Sequence, residues 1–238
     1  MTYSTFLLDL DHTLLDSDTS EIEAYTRTLR NQGISNPMVH FPTYKTINLG
    51  LWAAVERGDM LPGDIRAKRF ELLLDELGIA GDPDVMADDF VAGFAAFGDL
   101  YPESRGVLDE LAAVASLALI TNGLSEVQRP RIDRLGIEKY FDAIVISAEV
   151  GVTKPGPRIF DLAFDRLGNP PKGTAVMVGD SLSSDIRGGA DYGIATCWYN
   201  PNGKVAGPDD VITHEIKTLG ELPALASSPT SHRAETAR

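Results

Sequence analysis

The sequence predicts an α/β protein with a parallel, Rossmann-like sheet flanked by helices and an inserted all-helical cap domain. Two observations support this fold class. Five short apolar runs have the length and composition of buried strands, and they lie at 5–10, 116–121, 142–147, 174–179 and 194–199. Polar or glycine-containing turns and then helical periodicity follow all but the last of them. Continuous apolar strands that alternate with helices indicate a parallel sheet covered on both faces.

Proline and glycine delimit the helices of the predicted core. Residues 125–136 have an amphipathic pattern, and Pro130 within them predicts a bend or a later helix start. Residues 155–168 begin with prolines and end in glycine, which is the asymmetry expected of a helix. A third helix is predicted over 183–193.

The first two strands are too far apart for one crossover helix, and residues 16–100 between them are predicted to be helical. Ser20 and Glu23 form a capping-box pattern at the start of a helix that should end at Gly33. Further helical segments are predicted at 46–59, 63–78 and 82–100. We therefore divide the chain into an α/β core (1–15 and 101–226), a helical cap (16–100) and a polar tail (227–238) that we expect to be disordered.

Composition narrows the possible partners. The 238 residues carry a formal net charge of −14, which would repel both a nucleic-acid polymer and an anionic membrane. The single cysteine, Cys197, excludes an internal disulfide and a thiolate metal cage. No signal peptide or membrane-spanning run is visible, so we expect a cytoplasmic protein, either a monomer or a weak homodimer.

Charged and polar residues recur where the predicted strands end. In a parallel sheet these ends share one edge, where ligands bind. The residues at this edge are Asp9, Asp11, Thr121, Asn122, Lys154, Asp180 and Asp185. Four clustered carboxylates need a cation, and oxygen ligands without histidine or cysteine favour Mg²⁺. A lysine and a hydroxyl beside them suit a phosphate, so a carboxylate could attack phosphorus here.

These motifs resemble those of the haloacid dehalogenase-like (HAD) phosphohydrolase superfamily, in its first subclass with a helical cap. The motifs appear in the family's order as "DLDHT", "LITNG", "GVTKP" and "GDSLSSD". The resemblance covers the chain to about residue 225. Segments such as "LITNGLSEVQRPRIDRLGIEKYFDAIVIS" look most similar to the bacterial pyrimidine 5′-nucleotidase branch.

The resemblance implies a role for each core residue. Asp9 would be the nucleophile that forms an aspartyl-phosphate, and Asp11 would be the general acid and then the general base. Mg²⁺ would be held by Asp9, the Asp11 backbone carbonyl and Asp180. Asp185 would bind it through a water molecule or would contact these ligands without touching the metal. The phosphate would be held by Thr121, the Asn122 backbone and Lys154.

Two cap residues could select the substrate. Trp52 could stack on a nucleobase, and Arg69 could contact a base or a phosphate. Each also has a purely structural interpretation, because Trp52 lies among apolar neighbours and Arg69 could lie on a solvated face.

The predicted function is a Mg²⁺-dependent phosphatase of a small phosphorylated metabolite, in particular a nucleoside 5′-monophosphate. Alternatives are a phosphatase of a sugar phosphate or a phosphorylated acid, a phosphomutase whose cap shelters the phosphoenzyme from water, and an inactive binding or regulatory module on the same fold. Dehalogenation is disfavoured because it does not need Asp11, which is present. A P-loop kinase is excluded because the sequence lacks G-x-x-x-x-G-K-[ST].

Overall fold

A computed structural model of the chain describes residues 2–226. It contains a six-stranded, all-parallel sheet with the order β3-β2-β1-β4-β5-β6. The strands are β1 (Thr5–Leu8), β2 (Ser116–Thr121), β3 (Ala143–Ile146), β4 (Ala175–Gly179), β5 (Ala195–Tyr199) and β6 (His214–Ile216). The predicted fold class is confirmed, and the first five strands lie within the predicted runs.

Nine α-helices accompany the sheet within these residues. They are α1 (Ser17–Asn31), α2 (Phe41–Glu56), α3 (Ile65–Leu77), α4 (Pro83–Ala96), α5 (Ser104–Ala112), α6 (Ser125–Arg134), α7 (Ser147–Val150), α8 (Pro157–Arg166) and α9 (Arg187–Tyr192). A π-helical turn, Leu182–Ile186, precedes α9. None of these helices combines the length and the apolar character that crossing a bilayer requires.

Alternate side chains of each strand fill the two sides of the sheet. On β1, Phe6 and Leu8 join one buried cluster together with Leu108 and Leu111 of α5. Leu7 faces the other cluster, which α8 completes. Because both faces are covered, the strands are apolar throughout, and this is why they could be recognised in the sequence.

Helices α1–α4 pack around an aromatic centre of their own. Tyr25, Tyr44, Phe70 and Phe90 are all buried there, and the Tyr25 and Tyr44 ring centroids are 4.6 Å apart. The boundaries of the cap at residues 16–100 remain a prediction. The tail predicted over 227–238 lies outside the described residues.

The structure tests two predicted helix starts and adds one strand. Helix α1 begins earlier than the capping box predicted: Asp16 is the N-cap and accepts from the Thr19 backbone N–H, while the Ser20 hydroxyl donates to the Asp16 carbonyl. Helix α6 continues through Pro130 without a later start. Pro130 and the Glu126 residue four positions before it are both exposed, so water can satisfy the carbonyl that proline leaves without a donor. Strand β6 was not predicted.

Candidate active site

The site lies where the strand order reverses. The chain builds the sheet outward from β1 to β2 and β3, and then returns to place β4, β5 and β6 on the opposite side of β1. The carboxyl ends of β1, β2 and β4 therefore enclose a crevice, which is where ligands bind in open α/β sheets. The polar residues that follow these strands converge in that crevice.

Lys154 lies between two of the predicted carboxylates. Its ammonium nitrogen is 2.6 Å from Asp9 Oδ1 and 2.7 Å from Asp185 Oδ1, and it also donates to the Ile120 carbonyl at 2.7 Å. The exposed fractions of Asp9, Lys154 and Asp185 are only 6%, 1% and 1%. Residues more than 140 positions apart thus form one buried ionic cluster.

Asp180 completes an acidic group with Asp9 and Asp185. One carboxylate oxygen from each of the three lies within 4.8 Å of the others. The Asp180 backbone N–H donates to Thr13 Oγ1, and that hydroxyl donates to Asp9 Oδ2, each at 3.2 Å. A Cβ atom at Gly179 would overlap the Asp185 carboxylate, so glycine there leaves room for the cluster.

The carboxylates carry more negative charge than Lys154 neutralises. Burial raises the pKa of the Asp9 carboxyl well above its ordinary value, with Lys154 opposing the rise and Asp185 and Asp180 adding to it. Burial and the Asp185 carboxylate raise the pKa of Asp180 to about 6. Burial alone would lower the pKa of Lys154, but the carboxylates of Asp185 and Asp9 raise it. The ammonium stays charged, and the cluster still favours a further cation.

The donor set fits a hard divalent cation. All candidate ligands are oxygen atoms, as Mg²⁺ prefers. The buried Asp185 Oδ1 forms an ion pair with the Lys154 ammonium, 2.7 Å away. Asp185 is predicted from the sequence to support the metal through water or from outside its direct ligands. Here its carboxylate lies in the same group as Asp9 and Asp180.

The loop after β2 brings Thr121 and Asn122 to the crevice. Thr121 is buried, and its hydroxyl accepts from Gln128 Nε2 at 2.8 Å. The Asn122 side chain donates to the Lys154 carbonyl and accepts from the Lys154 N–H, both at 2.9 Å. The Asn122 amide therefore fixes the backbone that carries Lys154, and only its own backbone is left to meet a substrate.

The hydrogen bonds of the Asp11 carboxylate do not involve Lys154, Asp9, Asp180 or Asp185. Its carboxylate accepts from Ser17 Oγ, from Gln128 Nε2 and, at 2.8 Å, from Arg131 Nη1. Burial would raise the pKa of Asp11, but Arg131 together with these hydrogen bonds lowers it below its ordinary value. In this arrangement the predicted acid–base residue, at one side of the crevice, favours its carboxylate form, so it has to bind a proton before it can act as an acid.

Sequence reasoning missed Gln128 and Arg131. Their exposed fractions are 1% and 0%, although both are polar residues on the amphipathic helix α6. Helix α4 packs on this side of α6, and the guanidinium carbon of Arg131 lies 3.8 Å from the ring centroid of Phe94. The one available signal was the spacing of Gln128 and Arg131, which places them on one helix face.

A cavity of about 240 Å³ extends from the crevice to helices α1–α4. Both cap residues singled out in the sequence, Trp52 and Arg69, line it together with Asp9 and Lys154. Trp52 is half-buried against Leu51 and other apolar residues of α2 and α3. Arg69 is only 4% exposed, so it does not lie on a solvated face.

Arg69 is a buried cation with weak partners. It donates to the Ile65 carbonyl at 3.3 Å and to Tyr44 Oη at 3.4 Å, and within residues 2–226 no carboxylate forms an ion pair with it. Its guanidinium carbon lies 5.0 Å from the ring centroid of Phe90. A buried charge in such surroundings can gain from an acceptor supplied by a ligand.

Known proteins share this architecture. The family model described as haloacid dehalogenase-like hydrolase matches residues 3–193. The chain is 32% identical over 225 residues to pyrimidine 5′-nucleotidase YjjG of Escherichia coli (strain K12), covering 94% of this chain and 98% of that protein. It is 31% identical over 203 residues to pyrimidine 5′-nucleotidase PynA of Streptococcus pneumoniae (strain ATCC BAA-255 / R6), covering 85% and 86%. The magnesium-bound crystal structure of the HAD-hydrolase YfnB from Bacillus subtilis has a TM-score of 0.87 at 32% identity, covering 94% of this chain and 99% of that one.

Proposed function

The chain belongs to the haloacid dehalogenase-like hydrolase family, and from that premise we propose that it is a Mg²⁺-dependent phosphatase of a nucleoside 5′-monophosphate. One observation carries the proposal: the Lys154 ammonium lies 2.6 Å from Asp9 and 2.7 Å from Asp185 at the carboxyl end of the sheet. This cluster can neutralise a phosphate and present a carboxylate to it at the same time.

In the first half-reaction, an oxygen of Asp9 attacks phosphorus. The new O–P bond forms while the bond to the leaving oxygen breaks, and its electron pair goes to that oxygen, which takes a proton from the Asp11 carboxyl. Lys154, the Thr121 hydroxyl and the Asn122 backbone N–H hold the phosphate oxygens. The leaving alcohol is the nucleoside.

In the second half-reaction, water hydrolyses the aspartyl-phosphate. Asp11, now a carboxylate, takes a proton from the water as it attacks phosphorus, and the bond from Asp9 to phosphorus breaks. Inorganic phosphate is released and Asp9 is restored as a carboxylate. Asp11 is therefore a carboxylate after the first half-reaction and is protonated again after the second.

Mg²⁺, held by Asp9, the Asp11 backbone carbonyl and Asp180, would supply positive charge beside the phosphate. The carboxylate of Asp185 lies within the same 4.8 Å group and would orient the ligands or join them. The three clustered carboxylates support such a site, as does the magnesium in the related YfnB structure.

The substrate class rests on the relatives and on the upper part of the cavity. YjjG and PynA are named pyrimidine 5′-nucleotidases. Trp52 offers a ring face for a flat base, and the Arg69 guanidinium offers donors for a base carbonyl. A pyrimidine nucleoside presents both features, whereas a simple sugar phosphate presents neither a π-face nor a ring carbonyl.

Phosphate release across a panel of phosphate monoesters tests the proposal. The panel holds pyrimidine and purine nucleoside 5′-monophosphates, a sugar phosphate, a phosphorylated short acid and p-nitrophenyl phosphate, each with Mg²⁺ and with EDTA. We expect turnover of nucleotides with Mg²⁺, a loss of roughly 10³-fold in EDTA and recovery when Mg²⁺ is added back.

Each other outcome corrects one part of the proposal. Full turnover in metal-free buffer contradicts the role of Mg²⁺. Preference for the sugar phosphate or the phosphorylated acid replaces the substrate class and keeps the chemistry. If no member of the panel is hydrolysed, the inactive binding or regulatory module becomes the better interpretation.

A further inference from the structure

We propose that Arg131, assisted by Gln128, is a positioning residue that places the Asp11 carboxylate according to the position of the cap. The inference rests on the proposed function, because it concerns the residue that would protonate the leaving group. It adds two residues of helix α6 and a route by which cap helix α4 would influence proton transfer.

Both oxygens of the Asp11 carboxylate accept hydrogen bonds, and the donors come from both parts of the chain. Oδ1 accepts from Arg131 Nη1 at 2.8 Å and from the hydroxyl of Ser17, the first residue of α1. Oδ2 accepts from Gln128 Nε2. The position of this carboxylate is therefore fixed jointly by the core helix α6 and by the start of the predicted cap.

Arg131 also binds the cap directly. Its Nε donates to the Phe94 carbonyl at 2.8 Å, and its guanidinium stacks on the Phe94 ring at 3.8 Å. Phe94 belongs to the last turn of α4, where carbonyl oxygens lack partners within the helix and favour a cation. One planar guanidinium thus connects a cap carbonyl to the Asp11 carboxylate, with a geometry that its fork of donors fixes.

Gln128 connects the same carboxylate to the phosphate-binding loop. Its Nε2 donates to the Thr121 hydroxyl at 2.8 Å as well as to Asp11, and its Oε1 accepts from Arg131 Nη1 at 3.4 Å. A Cβ atom at Gly123 would come within 2.7 Å of Gln128 Nε2, so the glycine of the Asn-Gly turn admits this side chain.

These contacts matter because Asp11 has to change partners during turnover. Arg131 and Gln128 donate to the two oxygens of Asp11, and one of these oxygens has to carry the proton and face the leaving oxygen of a substrate on Asp9. A displacement of α4 relative to α6 would move the Phe94 carbonyl and, through Arg131, the donor to Asp11 Oδ1. The Asp11 side chain and the cap would therefore be coupled through one residue.

A comparison of two leaving groups tests this role. The p-nitrophenolate of p-nitrophenyl phosphate departs without protonation, whereas a nucleoside alkoxide needs the proton of Asp11. For Arg131→Met we expect kcat/KM, which reports phosphoryl transfer to Asp9 and not the hydrolysis step that both substrates share, to fall about 10²-fold with a nucleoside monophosphate and less than about 5-fold with p-nitrophenyl phosphate. Substrate binding itself should change little, because Arg131 is not placed against the substrate.

Arg134→Met is the matched control. Arg134 lies one turn further along α6 and donates to the Phe97 carbonyl at 3.2 Å and to the Gly98 carbonyl, but it makes no contact with Asp11. Losing this tether should change turnover of both substrates by the same factor. A leaving-group split of equal size in Arg134→Met would overturn the proposal, as would equal losses for both substrates in Arg131→Met.

A second variant keeps the test decisive if Arg131→Met does not fold. Lys at position 131 retains the charge but cannot bind the Phe94 carbonyl and Asp11 with one fixed fork. Arg131→Lys should show a native-like melting curve and a split of roughly 10-fold between the two substrates. If Arg131→Lys hydrolyses both substrates at the wild-type rates, the proposal is contradicted. Absence of Mg²⁺-dependent turnover in the wild type would instead refute the proposed function.

Discussion

The cavity has two sides that hold their charges differently. We call the sheet side, with Asp9, Lys154 and Asp185, the floor, and the helical side, with Trp52 and Arg69, the roof. On the floor, Lys154 lies within 2.7 Å of two carboxylates, and each partner is less than 10% exposed. In the roof, Arg69 is equally buried, but its hydrogen bonds are 3.3 and 3.4 Å long and go to neutral groups. A charge held by fixed partners suits a reaction step shared by all substrates, whereas a charge with weak partners can serve a variable part of the ligand.

The difference follows from how each region is built. Floor residues stand at the ends of neighbouring strands, where the register of the sheet fixes their spacing: Leu8 of β1 pairs with Leu119 of β2 and with Val178 of β4. Roof residues come from helices packed around a separate aromatic centre. Substitutions on the floor should therefore affect every substrate alike, and substitutions in the roof should discriminate between substrates.

The largest effect is expected on the floor. Asp9→Asn removes the nucleophile without changing the size of the side chain. It should lower kcat by roughly 10⁴-fold or more for a nucleotide and for p-nitrophenyl phosphate alike. Steady-state phosphate release measures the loss, and circular dichroism checks that the fold is retained. Rates near those of the wild type would show that Asp9 is not the nucleophile.

A substitution in the roof should lower kcat/KM for a nucleoside monophosphate more than for p-nitrophenyl phosphate. Arg69→Met removes donors that a base carbonyl would use, so kcat/KM for a nucleoside monophosphate should fall about 10- to 100-fold. With p-nitrophenyl phosphate, which has no base, the change should stay within about 3-fold.

Arg66→Met provides the control for that experiment. Arg66 lies on the same helix, is partly exposed and pairs with Asp88 and Glu126. Its loss should leave both substrates unaffected. If Arg69→Met lowers kcat/KM equally for both substrates, Arg69 supports the cap structurally and does not bind the base.

The smallest effect is expected from a pair outside the cavity. Glu149 accepts from Arg129 at 2.8 and 2.7 Å, and these bonds lower the pKa of Glu149 to about 2, with burial opposing and Ser125 assisting. Because the pKa is depressed on folding, the stabilisation is present above the unfolded value of about 4.3 and is lost as the pH falls toward 2.

The Arg129 side chain is 42% exposed, so solvent screening limits the contribution of this pair to about 0.5 kcal/mol. Urea unfolding should show Glu149→Gln less stable than the wild type by that amount at pH 7. The difference should shrink below a pH of about 4. A difference that does not depend on pH would show that the pair contributes through packing.

The floor could be predicted from sequence because its signals are local. Buried strands are continuous apolar runs, and the residues that follow them must meet at one sheet edge, so Asp9, Lys154 and Asp180 could be placed together. Strand β6 escaped prediction because His214–Ile216 is short and only its last residue is buried. The capping-box pattern placed the start of α1 at Ser20, but Asp16 is an equally suitable N-cap residue four positions earlier and is the one used.

The missed residues depend on packing between distant segments. In the sequence, Arg131 and Gln128 resemble the solvated face of α6. In the structure, helix α4 covers them. The hydrogen bond from Arg131 to the Phe94 carbonyl joins residues 37 positions apart. The orientation of Asp11 was missed for the same reason, since its partners lie up to 120 positions away. Arg69 could be suspected from its residue type, but its burial depends on the aromatic centre of the cap.

Detection of a phosphoenzyme tests the central claim most directly. After an acid quench during turnover with Mg²⁺, mass spectrometry of peptides should find phosphate on the peptide that contains Asp9. The adduct should be absent from Asp9→Asn. It should accumulate in Asp11→Asn when p-nitrophenyl phosphate is the substrate, because that leaving group needs no acid whereas hydrolysis still lacks its base. Turnover with no phosphate on Asp9 under these conditions, or phosphate on another residue, would contradict the account.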